Sequence, residues 1–193
     1  GGETAAVLTG VSASRTAKNA GSYAVAASGT DGNYNLSFVA GSLDIAKAAL
    51  TATGNSSAVT YNGANQSVGG FTVAGLQGSD TVADLSSVVA AGATAKNAGS
   101  YANTVTAGTE TNYTVTPVAG SLDIAKANAT VTANSASVTY NGANQTASGF
   151  TATGMVGVET AAVLTGVSAS RTAKNAGSYT NTASGTDGNY NLS

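Results

Sequence analysis

Apolar and polar residues alternate with period two along most of the chain, and the phase of that alternation changes at two places. Leu43 and Ile45 alternate with Ser42 and Asp44, the signature of a half-buried strand. After Lys47 the pattern resumes on the other parity, with Leu50 and Ala52 on one face and Thr51 and Thr53 on the other. The same change recurs at Leu122 and Ile124 followed by Ala129 and Val131. A shift of one residue moves the apolar set to the opposite face of a strand. Leu43 and Ile45 are therefore expected to close one core and Leu50 to open the next, with Ala46–Ala49 as a short, stiff joint free of Gly and Pro. Both changes fall in one repeated text, Val39-Ala-Gly-Ser-Leu-Asp-Ile-Ala-Lys-Ala48 and Val118-Ala-Gly-Ser-Leu-Asp-Ile-Ala-Lys-Ala127.

The remaining elements follow from the same reading. Tyr34–Phe38 also carries apolar residues at every second position, and Ala40-Gly41 separates it from Ser42–Ala46, which predicts a β-hairpin. Ala49–Tyr61 reads as a long strand with an irregularity at Gly54-Asn-Ser-Ser57. Asn62-Gly63 is a strong hairpin turn signal, and Gln66–Val73 is the expected return strand, with Phe71 and Val73 inward. Asp80 is a candidate cap for one or two helical turns, since Val82 and Leu85 are spaced three apart. Ser87–Ala91, Ser100–Ala107, Tyr113–Val118 and Ser121–Ala125 complete the set of strands.

These elements repeat. Tyr61-Asn-Gly-Ala-Asn-Gln66 returns as Tyr140-Asn-Gly-Ala-Asn-Gln145, a step of 79 residues (140 − 61). Ala17-Lys-Asn-Ala-Gly-Ser-Tyr23 returns at 95–101 and at 173–179. Residues 1–37 and 157–193 differ only at Gly2/Val158, Ala24/Thr180, Val25/Asn181 and Ala26/Thr182. The middle copy diverges, so two kinds of module alternate. The joints divide the chain into the back half of a module (1–47), a whole module (48–126) and a module lacking its closing strand (127–193), which suggests a longer parent. Six or seven short strands per module predict an all-β fold: small immunoglobulin-like sandwiches in an elongated array, with a β-grasp module carrying one short helix as the alternative.

Composition narrows the possible functions. Charged residues make up 8% of the chain, against about 25% in ordinary domains, while Thr, Val, Tyr and 25 Gly give a strand-and-turn composition. The formal net charge of −2 offers no clustered Lys and Arg for nucleic acid. No apolar run approaches the length of a membrane helix. There is no Cys and no His, which removes disulfides, thiolate metal sites and the commonest general base. Ser is abundant but has no base to activate it, and no Gly-rich phosphate loop is present. No catalytic residue, cofactor site or metal site is expected.

The order strand, Tyr-Asn-Gly, Gly-Phe-Thr, Asn-Ala-Gly-Ser-Tyr, Asn-Tyr-x-(Leu/Val)-(Ser/Thr), Gly-Ser-Leu-x-Ile-Ala-Lys-Ala spans the whole chain. It resembles the MBG ("mostly β, glycine-rich") and YDG-type repeats of large bacterial surface adhesins, many of which are similar to filamentous haemagglutinin and leave the cell by two-partner secretion. The resemblance implies an extracellular or cell-surface stalk or filament of tandem β-domains, and it carries over no catalytic residues.

Smaller features have plain readings. Asp31-Gly-Asn33 and Asp187-Gly-Asn189 are read as turns; one carboxylate each is far short of the oxygens calcium needs. Asp44 with Lys47, and Asp123 with Lys126, are read as solvated or joint-stabilising ion pairs, not as parts of a Lys–Asn isopeptide bond. Acceptor triplets for glycosylation occur at Asn35, Asn55, Asn65, Asn112, Asn128, Asn144 and Asn191. Thr51-Ala-Thr53 and Thr130-Val-Thr132 lack the close repetition of an ice-binding ladder. The leading functional expectation is a structural spacer that holds an adhesive region away from the cell, its partners being the neighbouring modules. Self-assembly into a filament or biofilm matrix by strand exchange is a second, because an unpaired edge is a template for another chain. A carbohydrate- or receptor-binding module using Tyr61 and Tyr140 is a third.

Overall fold

The computed structural model describes residues 2–193. Among them every regular element is a strand or a single 3-10 turn, and the strands form sheets of only two or three members. The all-β, tandem-module architecture is therefore as expected. No helix is long and apolar enough to cross a membrane among the described residues.

In the second module the expected long first strand is two strands, Ala48–Gly54 and Ser57–Thr60, interrupted where the sequence shows its irregularity. Ser57–Thr60 runs parallel to Gly120–Ala125, which also pairs antiparallel with Gly99–Asn103. Ala48–Gly54 lies between Tyr113–Val118 and Phe71–Ala74. In the third module its counterpart Ala127–Ala133 runs parallel to Tyr190–Leu192 and antiparallel to Phe150–Thr153. Parallel pairs thus join the opening segment of each of these modules to a strand late in the same module, beside the antiparallel pairs expected of an immunoglobulin-like sandwich.

This pairing overturns the expected hairpins. Tyr113–Val118 and Gly120–Ala125 are consecutive strands, yet they belong to different sheets. The turn between them is a corner made by Gly120, which is buried and has no room for a side chain. A Cβ there would lie 2.3 Å from the carbonyl oxygens of Gly54 and Asn55. In the first module, residues 34–40 form no strand, and Gly41–Ile45 pairs with Gly21–Val25 instead. Tyr34 and Phe38 stay about two-fifths exposed. The Asn62-Gly63 turn does form: Gly63 has φ 77°, and the Asn62 side chain accepts from Ala64 N–H at 2.9 Å. Its arms then diverge, because Ser57–Thr60 pairs with the closing strand while Gln66–Val68 pairs with Ala93–Ala95. The expected helical segment is one 3-10 turn, Val82–Asp84, closed by a capping box of Thr81 and Asp84, so the cap is Thr81 and not Asp80. Leu85 is buried, but Val82 remains 43% exposed.

The chain forms two compact units. One comprises residues 1–52, 72–88 and 106–117; the other comprises 53–71, 89–105 and 118–193. In the first unit Leu50, Ala52, Leu85, Val88 and Tyr113 are buried. In the second, Leu122 and Ile124 share one apolar cluster with Ala127, Ala129, Tyr61, Leu164 and Tyr190. The change of parity is present, since Leu122 and Ile124 are buried on one side of Lys126 and Ala127 and Ala129 on the other. At this second joint the expectation that it separates two cores is not met, because both apolar sets enter the same one.

Candidate functional site at the module joints

The two joints carry the same set of hydrogen bonds, made by residues at equivalent places in the repeat. At the second, Ala127 N–H donates to the Asn189 carbonyl at 2.9 Å, and the Lys126 ammonium donates to the Asp187 carbonyl at 2.7 Å. The Asn189 side chain accepts from Ala98 N–H at 2.9 Å and donates to Asn97 Oδ1 at 3.2 Å. At the first, Ala48 N–H donates to the Asn112 carbonyl at 2.9 Å and Lys47 to the Glu110 carbonyl at 2.6 Å. Asn112 accepts from Ala20 N–H at 2.9 Å and donates to Asn19 Oδ1 at 3.2 Å. One Asn thus spans two modules through its carboxamide, and the joint Lys is fixed to the turn just before it.

A tyrosine follows each of these asparagines and is buried. Tyr113 donates to Asp80 Oδ2 at 2.6 Å and accepts from Gln77 N–H at 2.9 Å. Tyr190 donates to Glu159 Oε2 at 2.6 Å and accepts from Val156 N–H at 3.0 Å. The second joint adds Tyr61, whose hydroxyl donates to Glu159 Oε1 at 2.6 Å. Its ring meets that of Tyr190 edge to face, with centroids 5.5 Å apart, a favoured aromatic geometry. Lys96 Nζ lies 3.8 Å from Glu159 Oε1. The hydroxyls of Tyr190 and Tyr61 hold the Glu159 carboxyl below the usual carboxylate range. Burial, reinforced by that carboxylate, pushes Tyr61 up to about 12 and raises Tyr190. The hydrogen bond to Asp80 raises Tyr113. Glu110, almost fully buried, accepts from the Ser87 hydroxyl at 2.6 Å and the Ser87 N–H at 2.8 Å, and these bonds lower its pKa.

The sequence matches the MBG domain (YGX type) family over residues 1–44, 49–123 and 129–193. The chain belongs to that family. No curated protein and no solved structure matches it. The joints described above therefore connect successive MBG modules.

Sequence reasoning singles out Lys47 and Lys126 at the MBG joints but assigns them the wrong partners. No pair forms between Asp44 and Lys47. Period-two geometry puts Asp44 on the outer face, where it accepts from the hydroxyls of Ser22 and Ser42. Asp123 likewise accepts from Ser100 and Ser121. These hydroxyls lower both carboxyls. Asp31 and Asp187 close turns, accepting from Asn33 N–H at 2.8 Å and Asn189 N–H at 2.7 Å. Tyr61 is 3% exposed while Tyr140 is 59% exposed, so the two do not form like surfaces. Thr51, Thr53, Thr130 and Thr132 all face outward. Asn112 reads in the sequence as a glycosylation acceptor, whereas its carboxamide is committed to the joint. The signal for its role is in the text: Asn precedes Tyr in all three modules, while the two residues before that Asn change from Asp-Gly to Glu-Thr.

Proposed function

We propose that this chain is a non-catalytic spacer segment of a secreted or surface-attached bacterial adhesin, extending an adhesive region from the cell. MBG-type repeats are typical of adhesin-like surface proteins. The observation that carries the reading is the duplicated joint: equivalent Lys, Asn and Tyr residues fix one module to the next by the same bonds at both places. A spacer needs orientation at each junction to be fixed, and a flexible linker would not provide it. The resemblance to filamentous-haemagglutinin-like proteins supports export by two-partner secretion within the same proposal. Small-angle scattering of the 193-residue chain is expected to give a rod-like profile with a length increment of roughly 30–40 Å per module. A profile of freely hinged modules, or of a compact globule, would remove the basis for this function.

A further inference from the structure

Two asparagines of this chain precede glycine, Asn62 and Asn141. Both are exposed, and both open the same turn. Asn62 Oδ1 accepts from Ala64 N–H at 2.9 Å, and Asn141 Oδ1 accepts from Ala143 N–H at 3.0 Å. Each bond closes a ring that contains the side-chain carbon Cγ of the asparagine and the backbone nitrogen of the glycine. An electrophile and a nucleophile are thus held in one small ring, which favours an intramolecular step between them. The two glycines have φ 77° and 78°, and neither carries a side chain that would shield its nitrogen. Neither glycine N–H and neither asparagine Nδ2 makes a hydrogen bond among the described residues.

We propose that Asn62 and Asn141 are self-modification sites, where the side chain closes on the next backbone nitrogen and is converted to aspartate or isoaspartate, and that at Asn62 this conversion loosens the second joint. The Gly63 nitrogen gives up its proton to solvent and attacks Cγ of Asn62. Negative charge develops on Oδ1, the atom that Ala64 N–H already addresses, so the donor is in place where the charge forms. The bond from Cγ to Nδ2 then breaks, and the nitrogen takes a proton from solvent and leaves as ammonia. Water adds to one of the two carbonyls of the resulting imide and breaks its bond to nitrogen. The net change is water in and ammonia out, with no oxidant or reductant. Loss of the glycine proton comes first, so the reaction quickens as pH rises.

The consequence at Asn62 follows from what its turn touches. A Cβ built on Gly63 would lie 3.5 Å from Val156 Cγ2 and 3.6 Å from Glu159 Oε1. The turn therefore packs on the carboxylate that Tyr61 and Tyr190 share. Conversion puts a new negative charge on the residue between Tyr61 and Gly63, and a like charge near a carboxylate disfavours the charged state of both. The isoaspartyl product also adds a methylene to the backbone between Tyr61 and the strand Gln66–Val68, which shifts Tyr61 against Glu159. The joint asparagines Asn112 and Asn189 are different, since tyrosine follows each and their carboxamides are bonded across the joint. The joint thus carries a slow chemical timer in its turn and none in its clasp. This inference goes beyond the spacer reading and does not depend on it.

Incubation of the full chain in mildly alkaline buffer tests it, read by isoelectric focusing and peptide mass mapping. The expected result is two successive acidic forms, each with one more negative charge, mapped to Asn62 and Asn141 while Asn112 and Asn189 remain amides. Asn62→Gln should remove one of these forms, because its cyclisation needs a larger ring. Ala64→Pro lacks the donating N–H and should slow conversion at Asn62 several-fold, with Asn141 in the same chain as the reference. The melting temperature of the parent chain should fall on incubation, and that of Asn62→Gln should hold. Three results overturn the proposal: a chain that keeps its charge while a free peptide of residues 61–66 converts, a rate at Asn62 that Ala64→Pro leaves unchanged, or a melting temperature indifferent to conversion at Asn62.

Discussion

Gly120 lies where the closing strand touches the backbone at the break in the first strand, and it decides how a module is wired. Any Cβ would meet two carbonyl oxygens at 2.3 Å, so Gly120→Ala should destabilise the protein by about 1–3 kcal/mol, the usual range for overpacking. Gly188 is the contrasting case. Nothing lies within 4 Å of a Cβ built there, its φ is unremarkable, and the second module carries Thr111 at the same place. Gly188→Ala should be neutral or stabilise by up to about 1 kcal/mol by restricting the unfolded chain. Urea midpoints compare the two directly, and equal midpoints would refute the close-approach argument. Leu122 and Leu43 provide a second contrast, since the same five-residue text is buried in one place and half-buried in the other. Leu122→Ala should cost about 2–5 kcal/mol, and Leu43→Ala measurably less.

The elements were largely legible and their partners were not. Tyr113–Val118 forms over the range its alternation indicates, and the breaks near Gly54 and after Asn62 fall where turn chemistry puts them. Alternation reports which face of a strand is buried; it does not report which strand lies alongside. The hairpin readings assume neighbours in sequence, while the pairings that close the modules join residues such as Leu122 and Ser57, or Tyr190 and Ala127. The joint was legible in Lys47 and Lys126 and hidden in Asn112 and Asn189, because a side chain that bonds backbone in another module leaves no periodic trace. These asparagines make the element-scale prediction. Asn189→Ala strands the half-buried Ala98 N–H and frees Asn97, which should cost about 1–3 kcal/mol. In a double-mutant cycle with Asn97→Ala, the second substitution should add little once Asn189 is gone. Full additivity of the two would show that the joint is not held by this bond.

For the molecule as a whole, the absence of His and Cys shapes its response to pH. No side chain with an ordinary pKa between about 5 and 8 is present to change charge there, so stability should be flat across the neutral range. The edges are set by groups at and beside the joints. Glu159 and Glu110 have pKa values lowered on folding from 4.5, so the folded chain binds fewer protons than the unfolded one as the acid is approached. Their contribution is complete above pH 4.5 and is lost as pH falls through the lowered values. Tyr61, Tyr190 and Tyr113 are raised from 10.0, Tyr61 to about 12. Their contribution is complete below pH 10 and disappears as pH rises toward 12, because the unfolded chain releases those protons first. Thermal melts from about pH 2 to about pH 12 should therefore trace a plateau with an acid edge below 4.5 and an alkaline edge above 10. Tyr61→Phe removes the most strongly raised phenol, so it should lower the plateau and flatten the alkaline edge, leaving the Glu110 part of the acid edge in place. An alkaline edge identical in Tyr61→Phe and the parent chain would mean that the buried phenol–carboxylate contact at the second joint contributes nothing to holding the modules together.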